Sequence, residues 1–171
     1  RPFETSDRQD LVDSSQASSF AVVHQNAVVE NSSRLATKRA GEIGFDRRLG
    51  VDVEFPLEQT CCGQMFTNTG YADEAIPGVR RFVDVFAAYD AVVAPSGSCV
   101  GSVRHQHRLI ADRADDHTLR SAVDTIAPKV YELSEFLIDV LGTVDVGAYF
   151  PHRVTYHPTC HSLRMLRVGD K

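Results

Sequence analysis

Three short apolar runs along the chain each stop at a turn and lead into a cysteine. In the first, Val51, Val53 and Phe55 alternate with Asp52 and Glu54 before Pro56, and this period of two predicts a strand with one buried face. In the second, Ala91-Val92-Val93-Ala94 has no polar face and is closed by Pro95, as expected of a parallel strand covered on both sides. Residues 153–156 predict a third strand. Between the first two, residues 72–89 place Val79, Phe82, Val83, Phe86 and Tyr89 on one helical face and leave Arg80, Arg81 and Asp84 to solvent. Residues 100–111 predict a second helix, ended by a charged break at 112–116. A third helix is expected from Pro128, since proline suits a first helical position, to Gly142. Its apolar face would be Val130, Leu133, Leu137, Val140 and Leu141. Residues 163–166 begin another. Strand, loop and helix recurring in this order predict an α/β fold, a parallel sheet flanked by helices with cysteine loops at the carboxyl ends of strands.

Residues 1–45 have a different texture. Ser14-Ser15, Ser18-Ser19 and Asn31-Ser32-Ser33 break any period, and the segment reads as an atypical, poorly ordered leader. One apolar island inside it, Phe20-Ala21-Val22-Val23, suits a strand or a hairpin. Residues 46–171 then form the cysteine-bearing domain. The chain opens on Arg1 rather than Met, which is the pattern expected of a fragment or a processed form.

The 171 residues are enough for one domain with a real core. The 43% hydrophobic and 24% charged fractions are ordinary for a globular chain. A formal charge of -5 argues against a general nucleic-acid or anionic-membrane surface, because both reward clustered Lys and Arg. No apolar run approaches the roughly 20 residues of a membrane span, so no transmembrane segment is expected.

All four cysteines, Cys61, Cys62, Cys99 and Cys160, lie in the loops after the three apolar runs. Nothing in the sequence suggests export, and adjacent Cys61-Cys62 poorly suits a framework of bridges. A reducing cytoplasm is therefore expected, where clustered thiols are metal ligands or reactive groups. In a parallel α/β sheet the carboxyl-end loops share one rim, which is where sites form. Cys99 and Cys160 stand at or just before helix starts, where the dipole favours a thiolate. Gly63 and Gly97 remove bulk beside the thiols and allow close backbone approach. Taken singly, each cysteine is as well read as a small buried hydrophobe.

The seven histidines keep zinc open as an alternative, with His157 and His161 bracketing Cys160 and with His105 and His107 after Cys99. Against zinc, the chain has no C-x2-C pair. His105, His107 and His117 read as surface residues, and His152 and His157 as strand-end residues near the site. Arg153, Arg164 and Arg167 form a modest basic cluster near Cys160 that could receive an anionic substrate, although solvated surface charge is the commoner explanation.

Thr60-Cys61-Cys62-Gly63-Gln64, Pro95-Ser96-Gly97-Ser98-Cys99, Glu132-Leu133-Ser134-Glu135-Phe136-Leu137 and the run from His152 to His161 together resemble the cysteine-rich CCG-domain proteins. Within that family the resemblance is to the lactate-utilisation and glycolate-oxidase iron–sulfur subunits, and it covers about residues 47–171. It implies two similar cysteine-motif halves. In related heterodisulfide reductase subunits such motifs ligate non-cubane [4Fe-4S] clusters. Carried over, Cys61, Cys62 and Cys99 match later ligands of a first half, and Cys160 matches the opening ligand of a second. Residues 1–60 hold no opening cysteine, Ser96 stands where the family has a cysteine, and no second Cys-Cys-Gly follows Cys160. His24 lies near the distance of the missing ligand but in unlike surroundings. The ligand set is therefore expected to be incomplete, as in a truncated or frame-shifted product.

The resemblance implies an iron–sulfur or thiol redox component that transfers electrons in an L-lactate or glycolate oxidation complex, working with other subunits rather than as a complete enzyme. The iron–sulfur cluster would use Cys61, Cys62, Cys99 and Cys160, with Gly63 and Gly97 shaping its loops. The alternatives are a non-catalytic zinc-binding or subunit-interaction module, and an inactive fragment of the family.

Overall fold

The computed structural model describes residues 20–22, 49–51 and 53–168. Among the described residues four short strands form one sheet: β1 (Phe20–Val22), β2 (Val53–Glu54), β3 (Ala91–Ala94) and β4 (Val130–Glu132). Their order across the sheet is β2-β1-β3-β4 and every pairing is parallel. The apolar island at residue 20 is thus a strand, placed between β2 and β3 in register Phe20↔Val53 and Phe20↔Ala91. The remainder of residues 1–45, including His24, lies outside the described residues.

After β2 come α1 (Gln64–Asn68) and α2 (Ala72–Phe86). After β3, α3 (Gly97–Gly101) runs through a π-helical turn (Ser102–Gln106) into α4 (His107–Arg113). The next helix, α5 (His117–Ile126), begins where Asp116 accepts the amide of Leu119 at 3.0 Å, an N-cap that satisfies one of the free first-turn donors. Sequence reading passed over α5, although Leu119, Val123 and Ile126 already have helical spacing and are all buried.

β3 explains why its sequence has no polar face. Successive strand residues point to opposite sides, so Val92 and Ala94 join the core formed with α2, α4 and α5, while Ala91 and Val93 join a second core with Val51, Val53, Tyr131 and Phe136. Burying both faces fully is what demands Ala-Val-Val-Ala.

Two expected elements are corrected. The helix expected from Pro128 to Gly142 is instead a 3-10 turn (Ala127–Lys129), then β4, then α6 (Leu133–Glu135) continuing as a π-helical segment (Phe136–Val140). Val130 and Tyr131 are adjacent and both buried because they pair with Val92 and Val93, one on each face of the sheet. Tertiary pairing here overrides a plausible helical spacing. Second, residues 153–156 do not pair as a strand. Val154 and Tyr156 are exposed, and an extended segment becomes a strand only beside a partner ladder. Past it, the chain closes with a π-helical segment (His161–Leu166) that packs on α3.

Candidate functional site

The loops after β2 and β3 come together at the carboxyl ends of their strands. Cys62 and Cys99 are both buried, at 3% and 6% exposure, and belong to the same core cluster. Their thiol groups lie beside one another. The neighbouring Cys99 thiol, burial, and the charge Cys99 would carry all hold the Cys62 thiol above its ordinary range. Cys61 is exposed, and its charge is felt by Cys62. Cys160 is exposed in the loop that opens the last helical segment.

Each loop has its own local cause. Gly63 adopts φ +81 as it enters α1, and nothing lies within 4 Å of where its Cβ would be. Its glycine therefore answers to backbone conformation, since that region strains residues with a Cβ. Gly97 is the opposite case. A Cβ there would overlap the Ser162 hydroxyl and come within 3.0 Å of Ser162 Cβ. One helical turn on, a Cβ on Gly101 would stand 2.6 Å from His161 Cδ2. The pair forms a slot that seats the segment following Cys160 against the helix carrying Cys99. Ser162 is fixed in it by Thr159, whose hydroxyl accepts the Ser162 amide at 3.2 Å and lies 2.9 Å from the Ser162 hydroxyl.

Ser96, which stands where the resembled family has a cysteine, caps α3: its hydroxyl accepts the Cys99 amide at 3.4 Å. The helix start beside Cys99 is thereby satisfied through a side chain.

His107 is not a surface residue. It is 1% exposed, and its Nε2 lies 2.8 Å from the carbonyl oxygen of Cys62. A carbonyl only accepts, so Nε2 carries the proton and donates. Phe82 meets the ring edge-on at 5.2 Å, and burial pushes the imidazole down to about 4. A neutral ring inside the core thus ties α4 to the cysteine loop. Cys99, Val103 and His107 recur every four residues, a face whose two apolar members already marked the third position as inward.

Behind this, Arg104 reaches from the π turn to β4 and α6. It donates to Glu135 through two nitrogens at 3.1 and 2.8 Å, and to the Val130 carbonyl at 2.7 Å. Both side chains are buried, at 7% and 4% exposure. Glu135 also accepts the Glu132 amide at 3.2 Å, and Glu132 caps Ser134 at 2.8 Å. The Glu-Leu-Ser-Glu motif is therefore a capping box whose second carboxylate holds a buried cation. From sequence this motif had no purpose assigned, Gly101 and Arg104 were missed, and His107 was expected at the surface. Of the remaining basic candidates, Arg153, Arg164, Arg167, His152 and His157 are exposed.

An iron–sulfur cluster is ordinarily held by Cys thiolates, four in the common types. Among the described residues, no three His, Cys, Asp or Glu side chains gather closely enough to hold a metal ion. Among the described residues Cys62 and Cys99 meet without Cys61 or Cys160 completing a metal-holding group, so these residues do not by themselves make a complete ligand set. Nor is any helix among the described residues long and apolar enough to cross a membrane.

Residues 46–104 match the family model described as a cysteine-rich domain, CCG. A lactate utilization protein A of Oceanobacillus iheyensis is 44% identical over 123 residues, which is 72% of this chain and 49% of that protein. A protein of the same name from Bacillus pumilus is 40% identical over 72% of this chain and 50% of its own. One from Exiguobacterium is 43% identical over 70% and 49%. The chain thus spans about half the length of the curated relatives it matches. No solved structure matches it.

Proposed function

We propose, for a chain that belongs to the cysteine-rich CCG-domain proteins, that it is an iron–sulfur redox component of a lactate- or glycolate-oxidising system. Cys61, Cys62 and Cys99 would be among the cluster's thiolate ligands, Gly63 and Gly97 would shape their loops, and Cys160 would serve a neighbouring half-site. The observation that carries this reading is the meeting of Cys62 and Cys99, from loops far apart in sequence, at one end of a parallel sheet. One buried cysteine is ordinary packing, but two brought together by different strand-end loops are what a shared thiolate site requires. The remaining ligands would come from outside the pair, in keeping with the chain spanning half of its relatives.

A cluster held at this rim would supply one-electron chemistry. The chain's own residues would bind and orient: His107 holds the Cys62 carbonyl, Ser96 holds the Cys99 amide, and the Gly97–Gly101 slot seats the Cys160 loop. The compartment proposed is the cytoplasm and the partners are other subunits of the oxidising system, which would carry out the substrate chemistry.

The test is anaerobic reconstitution with ferrous iron and sulfide, done in parallel on this chain and on a relative spanning the full family length. The expected result is brown colour with iron and acid-labile sulfide in the relative, weakened by Cys62→Ser or Cys99→Ser. A relative that takes up no iron, or that is isolated with one colourless zinc per chain, removes the reading.

A further inference from the structure

Residues 153–157 are exposed along their whole length. Among the described residues, none of their backbone N–H or C=O groups takes part in a hydrogen bond. In an extended chain Val154 and Tyr156, 75% and 70% exposed, share one side, and Arg153, Thr155 and His157 share the other. Residues 148–168 hold three arginines and no acidic residue, on a chain of formal charge -5. A bare backbone with one apolar and one basic side has what a strand needs to join a sheet edge.

The four-stranded sheet has β2 and β4 at its edges. The outer side of β4 is already taken. The Val130 carbonyl accepts from Arg104 at 2.7 Å, and the Glu132 amide donates to Glu135 at 3.2 Å. These two residues stand two apart, so their backbone groups leave the strand on the same side. No such bonds cover the outer side of β2 among the described residues. Its chemistry matches the segment: Val53 is buried with Val51 and Val93, while Glu54 is exposed on the opposite face. A strand laid against β2 with Val154 and Tyr156 on the Val53 side extends the apolar face and brings Arg153 to the side of Glu54.

We propose that residues 153–157 of one copy of this chain add to the β2 edge of a second copy. The exchange is reciprocal, each copy giving its segment and receiving the other's, so a two-fold axis closes the dimer. A second copy is the occupant because it carries both halves of the match, an edge with an acidic face and a strand with a basic one. Pairing two 153–157 segments with each other would instead set Arg153 and His157 against one another. Within its own chain the segment stands off the sheet, held at its far end where 161–166 is seated on α3. No iron enters this contact, so cluster loading and dimerisation succeed or fail separately.

The test is sedimentation equilibrium of the full metal-free chain, in dithiothreitol at low salt, over a wide range of concentration. The expected result is a reversible monomer–dimer equilibrium. Tyr156→Asp changes a side chain that is exposed in the monomer, so it should leave the urea midpoint unchanged while weakening the dimer about tenfold or more by burying a carboxylate. Glu54→Arg and Arg153→Glu each set like charges side by side and should each weaken it about tenfold. The two together should restore most of the affinity. A chain that stays monomeric throughout overturns the proposal, as do assemblies that grow beyond a dimer. A dimer indifferent to Glu54→Arg, as self-paired segments would give, overturns it too, and so does one indifferent to Tyr156→Asp.

Discussion

Acid should destabilise this fold through His107 well before it reaches most carboxylates. The ring is 1% exposed, neutral, and pushed down to about 4, against an ordinary value of 6.5. The unfolded chain therefore binds this proton at a higher pH than the folded chain does. The stability contributed by keeping the ring neutral is fully present above pH 6.5. It is lost as pH falls towards 4, where the folded state also takes up the proton. A gap of about 2.5 units at 1.36 kcal/mol each gives a full loss of about 3 kcal/mol. By pH 5 about 2 kcal/mol of that should be gone. Against a total stability on the order of 5–15 kcal/mol, this is a large fraction. The assay is urea unfolding of the metal-free chain at pH 7.5 and pH 5, beside His107→Gln, which keeps an N–H for the Cys62 carbonyl but does not titrate. The variant should start less stable at pH 7.5 and lose about 2 kcal/mol less on acidification. Equal losses in both proteins would refute the reasoning, as would an NMR titration placing His107 near 6.5 in the folded chain.

Gly101→Ala should push against His161 and cost about 1–3 kcal/mol by overpacking, with faster proteolytic cleavage around Cys160 as the segment 161–166 lifts from its slot. Unchanged urea midpoint and cleavage would remove the slot. Glu135→Gln should leave the buried Arg104 without its counter-charge and cost about 3–5 kcal/mol, read from the same unfolding curves. Replacing both partners together with apolar residues should recover much of that loss, because the desolvation of two ions disappears with them.

Much of the layer structure was legible from residue order. β3 announced itself through four apolar residues closed by proline, and α2 through an apolar face that the structure buries at Val79, Phe82, Val83 and Phe86. These signals are local: a strand covered on both faces has nowhere to put a polar side chain, and a helix on a sheet needs one apolar stripe. The cysteine loops after β2 and β3 followed from the same logic, because parallel strands place their carboxyl ends on one rim.

What the chain order left open was decided by partners distant in sequence. Val130 and Tyr131 fit a helix as well as a strand until β3 offered them a ladder, and residues 153–156 looked like a strand but have none beside them. Phe20–Val22 sits between two strands that come later in the chain. His107 looked like surface until the Cys62 carbonyl and the Phe82 ring closed around it, and Gly97 and Gly101 acquired their purpose only when Ser162 and His161 packed on them. Composition and period report which face of an element is apolar. Which atom lies across from that face depends on how the chain returns to itself, and only the packed structure holds that information.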